Sequence, residues 1–319
     1  MDLTSIYRLT EQFPLPVRSA LHRLSDTTLE KLTEIRLRAH GITTVTLDGE
    51  NLYLTDTGLC REPTRCVRIS ARELEEFLYR FCGGSVYAYE ESIKRGFLTR
   101  SGVRIGLCGE AVLQNGQMDG FSALTGLCLR IPHHVPGAAA PILSLYAQKG
   151  LRMGGILVIS PPGVGKTTFL RDLAIGLSRD IRTHSVNRGT FWRVCLLDER
   201  NEFYLPEVFS GCAVDVLAGL PKAKALDCAA RVLSPQVVIC DEIGTPEDVR
   251  AIREAHLGGI VFAASLHGEA VFDALNDPAI GALCRDGIFR TLCVLERRGK
   301  GVKPRLYNTD GEPLDEPVC

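Results

Sequence analysis

Residues 160–167, Ser160-Pro161-Pro162-Gly163-Val164-Gly165-Lys166-Thr167, place two glycines, a lysine and a hydroxyl at the spacing that cradles a nucleotide phosphate. Glycine lets the backbone curl so that successive N–H groups face one anion, and the helix that follows adds the positive end of its dipole. Lys166 is placed to reach the β- and γ-phosphates, and the Thr167 hydroxyl to bind Mg²⁺. Ser160, a small residue, stands where this pattern ordinarily begins with glycine. The expected nucleotide contacts are therefore Ser160, Pro161, Pro162, Gly163, Val164, Gly165, Lys166, Thr167 and Thr168.

A second set of chemically useful residues stands at the ends of apolar runs. Val237-Val238-Ile239-Cys240 leads into Asp241-Glu242, which suggests a buried parallel strand delivering two acids at its C-terminal edge. Asp241 is suited to holding Mg²⁺ and Glu242 to polarising an attacking water, a pairing that favours an ATPase or motor over a small kinase. The run 193–197 leads into Asp198-Glu199-Arg200-Asn201-Glu202, where Glu199 could orient water or reach the metal's surroundings, or pair with Arg200 or another base. The run 260–265 leads into Leu266-His267, and a histidine there could hydrogen-bond a γ-phosphate or simply serve the core.

These residues need strands and helices to position them, and the pattern supplies both. Gly155-Ile156-Leu157-Val158-Ile159 reads as a buried strand before the loop, and 168–177 has helical apolar spacing after it. Strands and helices alternate through the second part of the chain, which argues for a parallel sheet covered on both faces. A helix over 222–233 carries Arg231, and 291–296 with 304–307 forms a terminal hairpin. Before residue 136 the character differs: helices over 4–13 and 16–24, a hairpin over 43–54, a helix over 71–82 capped by Ser70 with Glu73, and strands at 97–99, 103–107 and 127–131. The segment 136–141, rich in Pro, Gly and Ala, marks a boundary, giving 1–136 as a small mixed α/β domain and 137–319 as the nucleotide domain.

Composition bounds the partners. The formal net charge of −1 offers no global basic footprint for nucleic acid, although Arg36 with Arg38 and Arg297 with Arg298 form local pairs. Twelve cysteines are scattered without a CxxC pair, which fits reduced thiols in a cytoplasm rather than a disulfide or zinc framework. No signal-peptide pattern or membrane-length apolar run appears, so a soluble protein is expected, docked on a membrane through a partner if at all.

The chain resembles the stage III sporulation protein AA family of endospore-forming bacteria. The resemblance is carried by 34–38, 104–107, 163–172, 198–202, 215–217, 221–223 and 234–244, of which Asp198-Glu199-Arg200-Asn201-Glu202 and the stretch ending in Asp241-Glu242-Ile243-Gly244 are the most specific. That family is similar to the secretion ATPases of type II and type IV machines, which work as hexameric rings. The resemblance implies a RecA-like ATPase domain, ATP with Mg²⁺, a homo-oligomer, and peripheral cytoplasmic docking on integral-membrane proteins of a sporulation channel. Ring motors complete their sites with arginines from a neighbour or from a second domain, and Arg104, Arg130 and Arg231 are the candidates. The leucine at 266, before His267, departs from the small residues expected there, and 180–190 looks like an insertion. Two other readings share this core: a nucleic-acid translocase, disfavoured by the charge, and an ATP-gated assembly scaffold, disfavoured by the presence of Lys166, Asp241 and Glu242 together.

Overall fold

The computed structural model describes residues 3–179, 191–299 and 301–314, so the insertion-like segment 180–190 lies outside the described residues. The chain divides into two compact units, residues 1–133 with 205–208, and residues 134–204 with 209–319.

The first unit opens with three short helices, α1 (Leu3–Thr10), α2 (Leu15–Leu21) and α3 (Asp26–Leu29). Strands β1 (Leu32–Arg38), β2 (Thr44–Leu47), β3 (Glu50–Thr55) and β4 (Gly58–Cys60) follow, then α4 (Ala71–Phe81) and α5 (Glu90–Lys94). The unit closes with β5 (Phe97–Arg100), β6 (Val103–Gln114) and β7 (Gln117–Arg130). Ser70 and Glu73 form a reciprocal capping box that starts α4, each satisfying a backbone N–H the helix cannot. The apolar stripe of α4 then packs Phe77 face to face on Phe13, ring centroids 4.7 Å apart.

The seven strands form one antiparallel sheet in the order β4-β3-β2-β1-β7-β6-β5. Alternation along β1, β6 and β7 sends Ile35, Leu37, Ile105, Leu127 and Leu129 into the core. On the opposite face Glu34, Arg130 and Arg104 stand in one cross-strand row. The ribbon of β6 and β7 runs far beyond the strands expected at 103–107 and 127–131. Asn115 and Gly116, with φ of 53° and 76°, make its tight turn. That Asn-Gly pair is the signal in the sequence that marks the hairpin.

The second unit contains α6 (Ala140–Lys149), β8 (Gly155–Ser160), α7 (Lys166–Ser178), β9 (Val194–Asp198), β10 (Val214–Ala218), α8 (Lys222–Cys228) and β11 (Val237–Cys240). It continues through α9 (Pro246–Leu257), β12 (Val261–His267), α10 (Val271–Asn276), α11 (Pro278–Arg285), β13 (Phe289–Arg298) and β14 (Gly301–Tyr307). The strand order is β10-β9-β11-β12-β8-β13-β14, parallel throughout except for the antiparallel β14. Every residue of β8, β9 and β11 is buried, as a sheet covered on both faces requires. Helices α8 to α11 pack with Leu157, Ile159, Leu197, Val238, Phe262 and Leu292 into one continuous cluster. The helix expected over 222–233 is α8 prolonged by a π-helical turn, Ala229–Leu233.

Candidate functional site

The strand order decides where chemistry can gather. In a parallel sheet the strands all end on one edge, so β8, β11 and β12 deliver the phosphate loop, Asp241-Glu242 and His267 to the same crevice. The loop leaves β8 at Ser160 and enters α7 at Lys166. Gly163 and Gly165 take φ of 75° and 122°, a region closed to most side chains, and a Cβ at either would meet nothing within 4 Å. The loop is thus open at both glycines and leads directly into the N-terminus of α7.

Lys166 is buried at the base of this loop. Its ammonium donates to Ser160 O at 2.8 Å and Pro161 O at 3.4 Å, and lies 2.9 Å from His267 Nδ1. Three acceptors match its three N–H bonds. Burial pulls its pKa below the ordinary lysine range, opposed by the charges of Glu242 and Asp241. The other ring nitrogen of His267, Nε2, lies 2.8 Å from Glu242 Oε1. A donating lysine on Nδ1 requires the tautomer that carries its proton on Nε2, so Lys166, His267 and Glu242 form one directed chain of hydrogen bonds. Leu266 does not displace the histidine from this position, since side chains alternate along β12 and Leu266 points away.

The Thr167 hydroxyl lies 3.4 Å from Asp241 Oδ2, while Ser265 Oγ donates to Asp241 Oδ1 at 2.9 Å. Ser265 is a site residue that the sequence reading overlooked; a fully buried serine one strand from an acid is its signal. The hydroxyl and carboxylate together suit a hard cation with oxygen ligands, and Mg²⁺ in particular, which keeps several waters and takes few protein ligands. Among the described residues there is no cluster of three or more His, Cys, Asp or Glu side chains that would hold a metal on protein ligands alone.

Glu199 forms an ion pair with Lys222 at 3.1 Å, and Lys222 also stands 4.0 Å from Asp248 Oδ2. The base that meets Glu199 is therefore Lys222, at the start of α8. Asp198, one residue earlier, is buried and accepts from the backbone N–H groups of Glu202, Phe203 and Tyr204 at 2.9, 3.0 and 2.9 Å. Burial raises its pKa and the three N–H bonds oppose that rise. Arg171 on α7 closes the same loop from the other side, donating to Phe203 O at 2.8 Å and Glu202 O at 2.9 Å; burial lowers its pKa to about 10. Next to it, Asp172 accepts from the N–H groups of Gly137 and Ala139 and fixes the approach to α6. These two charged side chains inside a helix were missed as well.

Each of the three arginine candidates has a local partner in its own unit. Arg231 sits on the π-helical turn, nine residues or about 13 Å along the helix from Lys222, and pairs with Asp227 at 2.7 Å. Arg104 and Arg130 belong to the first unit's sheet, Arg104 stacked 4.1 Å over Phe97 and Arg130 3.8 Å from Glu34. The described cysteines are free thiols; those at 195, 240 and 293 are buried in strands, which pushes their pKa values up. No helix among the described residues is long and apolar enough to cross a membrane.

With this geometry in hand, the comparisons are specific. The model of the family described as sporulation stage III, protein AA, matches residues 6–314. The chain is 31% identical over 316 residues to stage III sporulation protein AA of Bacillus subtilis (strain 168), spanning 96% of each chain. Among solved structures, the DotB ATPase of Legionella pneumophila matches with a TM-score of 0.58 at 18% identity, over 93% of this chain and 82% of that one. The pilus retraction motor PilT, solved with ADP, matches with a TM-score of 0.56 at 17% identity, over 92% and 82%. At such identities the structural likeness speaks for the fold, which is RecA-like.

Proposed function

Because the chain belongs to the family of sporulation stage III protein AA, we propose that it is a Mg²⁺-dependent ATPase that forms a ring and energises a membrane channel or secretion complex during endospore formation. The observation that carries this reading is the meeting of Lys166, His267 and Glu242 on one side of the phosphate loop with Thr167 and Asp241 beside them. The likeness to DotB and PilT, described as an ATPase and a motor, supports it at the level of the fold.

In this reading each side chain has a task its contacts already suggest. The nucleotide phosphates take the place of Ser160 O, Pro161 O and His267 Nδ1 around the Lys166 ammonium, since a charged oxygen is a stronger acceptor than a carbonyl or an imidazole. His267, relieved of Lys166, turns to the terminal phosphate and loosens its hold on Glu242. Glu242 is then available to orient and deprotonate a water. Thr167 and Asp241 would hold Mg²⁺, which when bound would neutralise charge on the phosphates, and Ser265 keeps the Asp241 carboxylate turned for that role. Glu199, held by Lys222, supports the acidic side of the crevice. A neighbouring copy supplies an arginine, with Arg104, Arg130 and Arg231 as the residues to test.

ATP turnover by the purified chain tests this, with Lys166→Ala and Glu242→Gln beside it. Loss of binding in the first and loss of turnover with retained binding in the second are expected. Binding and turnover unaffected by either change would overturn the assignment.

A further inference from the structure

The sequence holds no motif that reads a nucleobase, yet the fold leaves one place for it. Strand β8 has β12 on one side and β13 on the other. Asp241, Glu242 and His267 all come from the β12 side, so the terminal phosphate belongs there and the nucleoside extends towards β13. β13 overhangs at that point. Its last partner on β8 is Ile159, opposite Val294, and the strand runs on through Arg298, about 10 Å past the end of β8.

Arg297 stands on this overhang, exposed, with Nη2 donating to Gly163 O at 3.2 Å. Arg297 thus touches the phosphate loop itself, from the β13 side. Directly across the hairpin from Arg297 is Val302, 45% exposed, and directly paired residues present their side chains to one face. Glu296, Arg298, Lys303 and Arg305 lie on the opposite face, where Arg298 and Arg305 both pair with Glu296. Among the described residues no carboxylate pairs with Arg297. One flat cation beside one exposed aliphatic side chain suits an aromatic ring better than a phosphate cluster, because a guanidinium stacks on π faces.

Resting on the phosphate-loop reading above, we infer that Arg297 and Val302 form the nucleoside subsite, a platform for the base of a bound nucleoside di- or triphosphate. A stack reads no base edge, so the platform takes adenine and guanine alike.

Calorimetric titration of the full chain, in Mg²⁺, with ADP, GDP and inorganic tripolyphosphate tests this against Arg297→Ala and Val302→Ala. Arg297→Ala is expected to weaken ADP and GDP each by about tenfold and leave tripolyphosphate within about twofold, with Val302→Ala a smaller change of the same kind. Retained tripolyphosphate binding also serves as the control for folding. Unchanged ADP affinity, or an equal loss for tripolyphosphate, would overturn the subsite and leave the phosphate-loop reading in place. A wild-type chain that binds none of the three would instead overturn the phosphate loop, and the subsite with it.

Discussion

At the scale of single residues, the account rests on hydrogen bonds that can be broken one at a time. Glu242→Gln keeps the shape of the side chain and removes the proposed base. We expect turnover to fall about 10²-fold or more while nucleotide affinity, read by titration, stays close to wild type. His267→Ala removes the link between Lys166 and Glu242. Its expected signature is a fall in kcat with KM changed only a few-fold, since the loop backbone and Lys166 still hold the phosphates. A KM effect without a kcat effect would assign the histidine to binding alone. Most of these residues were legible in the sequence, because Lys166, Thr167, Asp241 and Glu242 belong to short patterns whose spacing carries the chemistry. Ser265, Arg171 and Asp198 were not, because their roles come from what faces them across strands and loops.

At the scale of elements, the loop between Asp198 and Tyr204 is held by the Asp198 carboxylate on one side and the Arg171 guanidinium on the other. Asp198→Ala leaves three backbone N–H groups without their acceptor, and about 3 kcal/mol of stability should be lost, seen as a lower midpoint of urea unfolding. The Ser70 cap of α4 is a part-buried, local contact, and Ser70→Ala should cost about 1 kcal/mol by the same measurement. A cost for Asp198→Ala no larger than that of Ser70→Ala would show that the loop holds without its carboxylate. Elements with strong local signals were readable from sequence: the capped α4, the strand before the phosphate loop and the terminal hairpin. The β6–β7 ribbon was not, because its exposed half has three register shifts and glycines at 109, 116, 120 and 126 that break the alternation a strand ordinarily shows.

At the scale of the whole molecule, the proposed ring gives predictions about how copies of the chain complement one another. A shared site makes activity depend on assembly. If a neighbour supplies an arginine, then Arg104→Ala, Arg130→Ala or Arg231→Ala subunits should regain turnover when mixed with Lys166→Ala subunits, each lacking what the other provides. Absence of recovery for all three would remove them as shared residues. The measurement that bears most directly on the central claim is steady-state ATP hydrolysis by the full chain in Mg²⁺, across a range of protein concentration, beside Glu242→Gln. The account predicts turnover per subunit that rises with concentration and disappears in Glu242→Gln, which still binds nucleotide. Turnover that persists in Glu242→Gln, or nucleotide bound by the wild-type chain without turnover at any concentration, would contradict it.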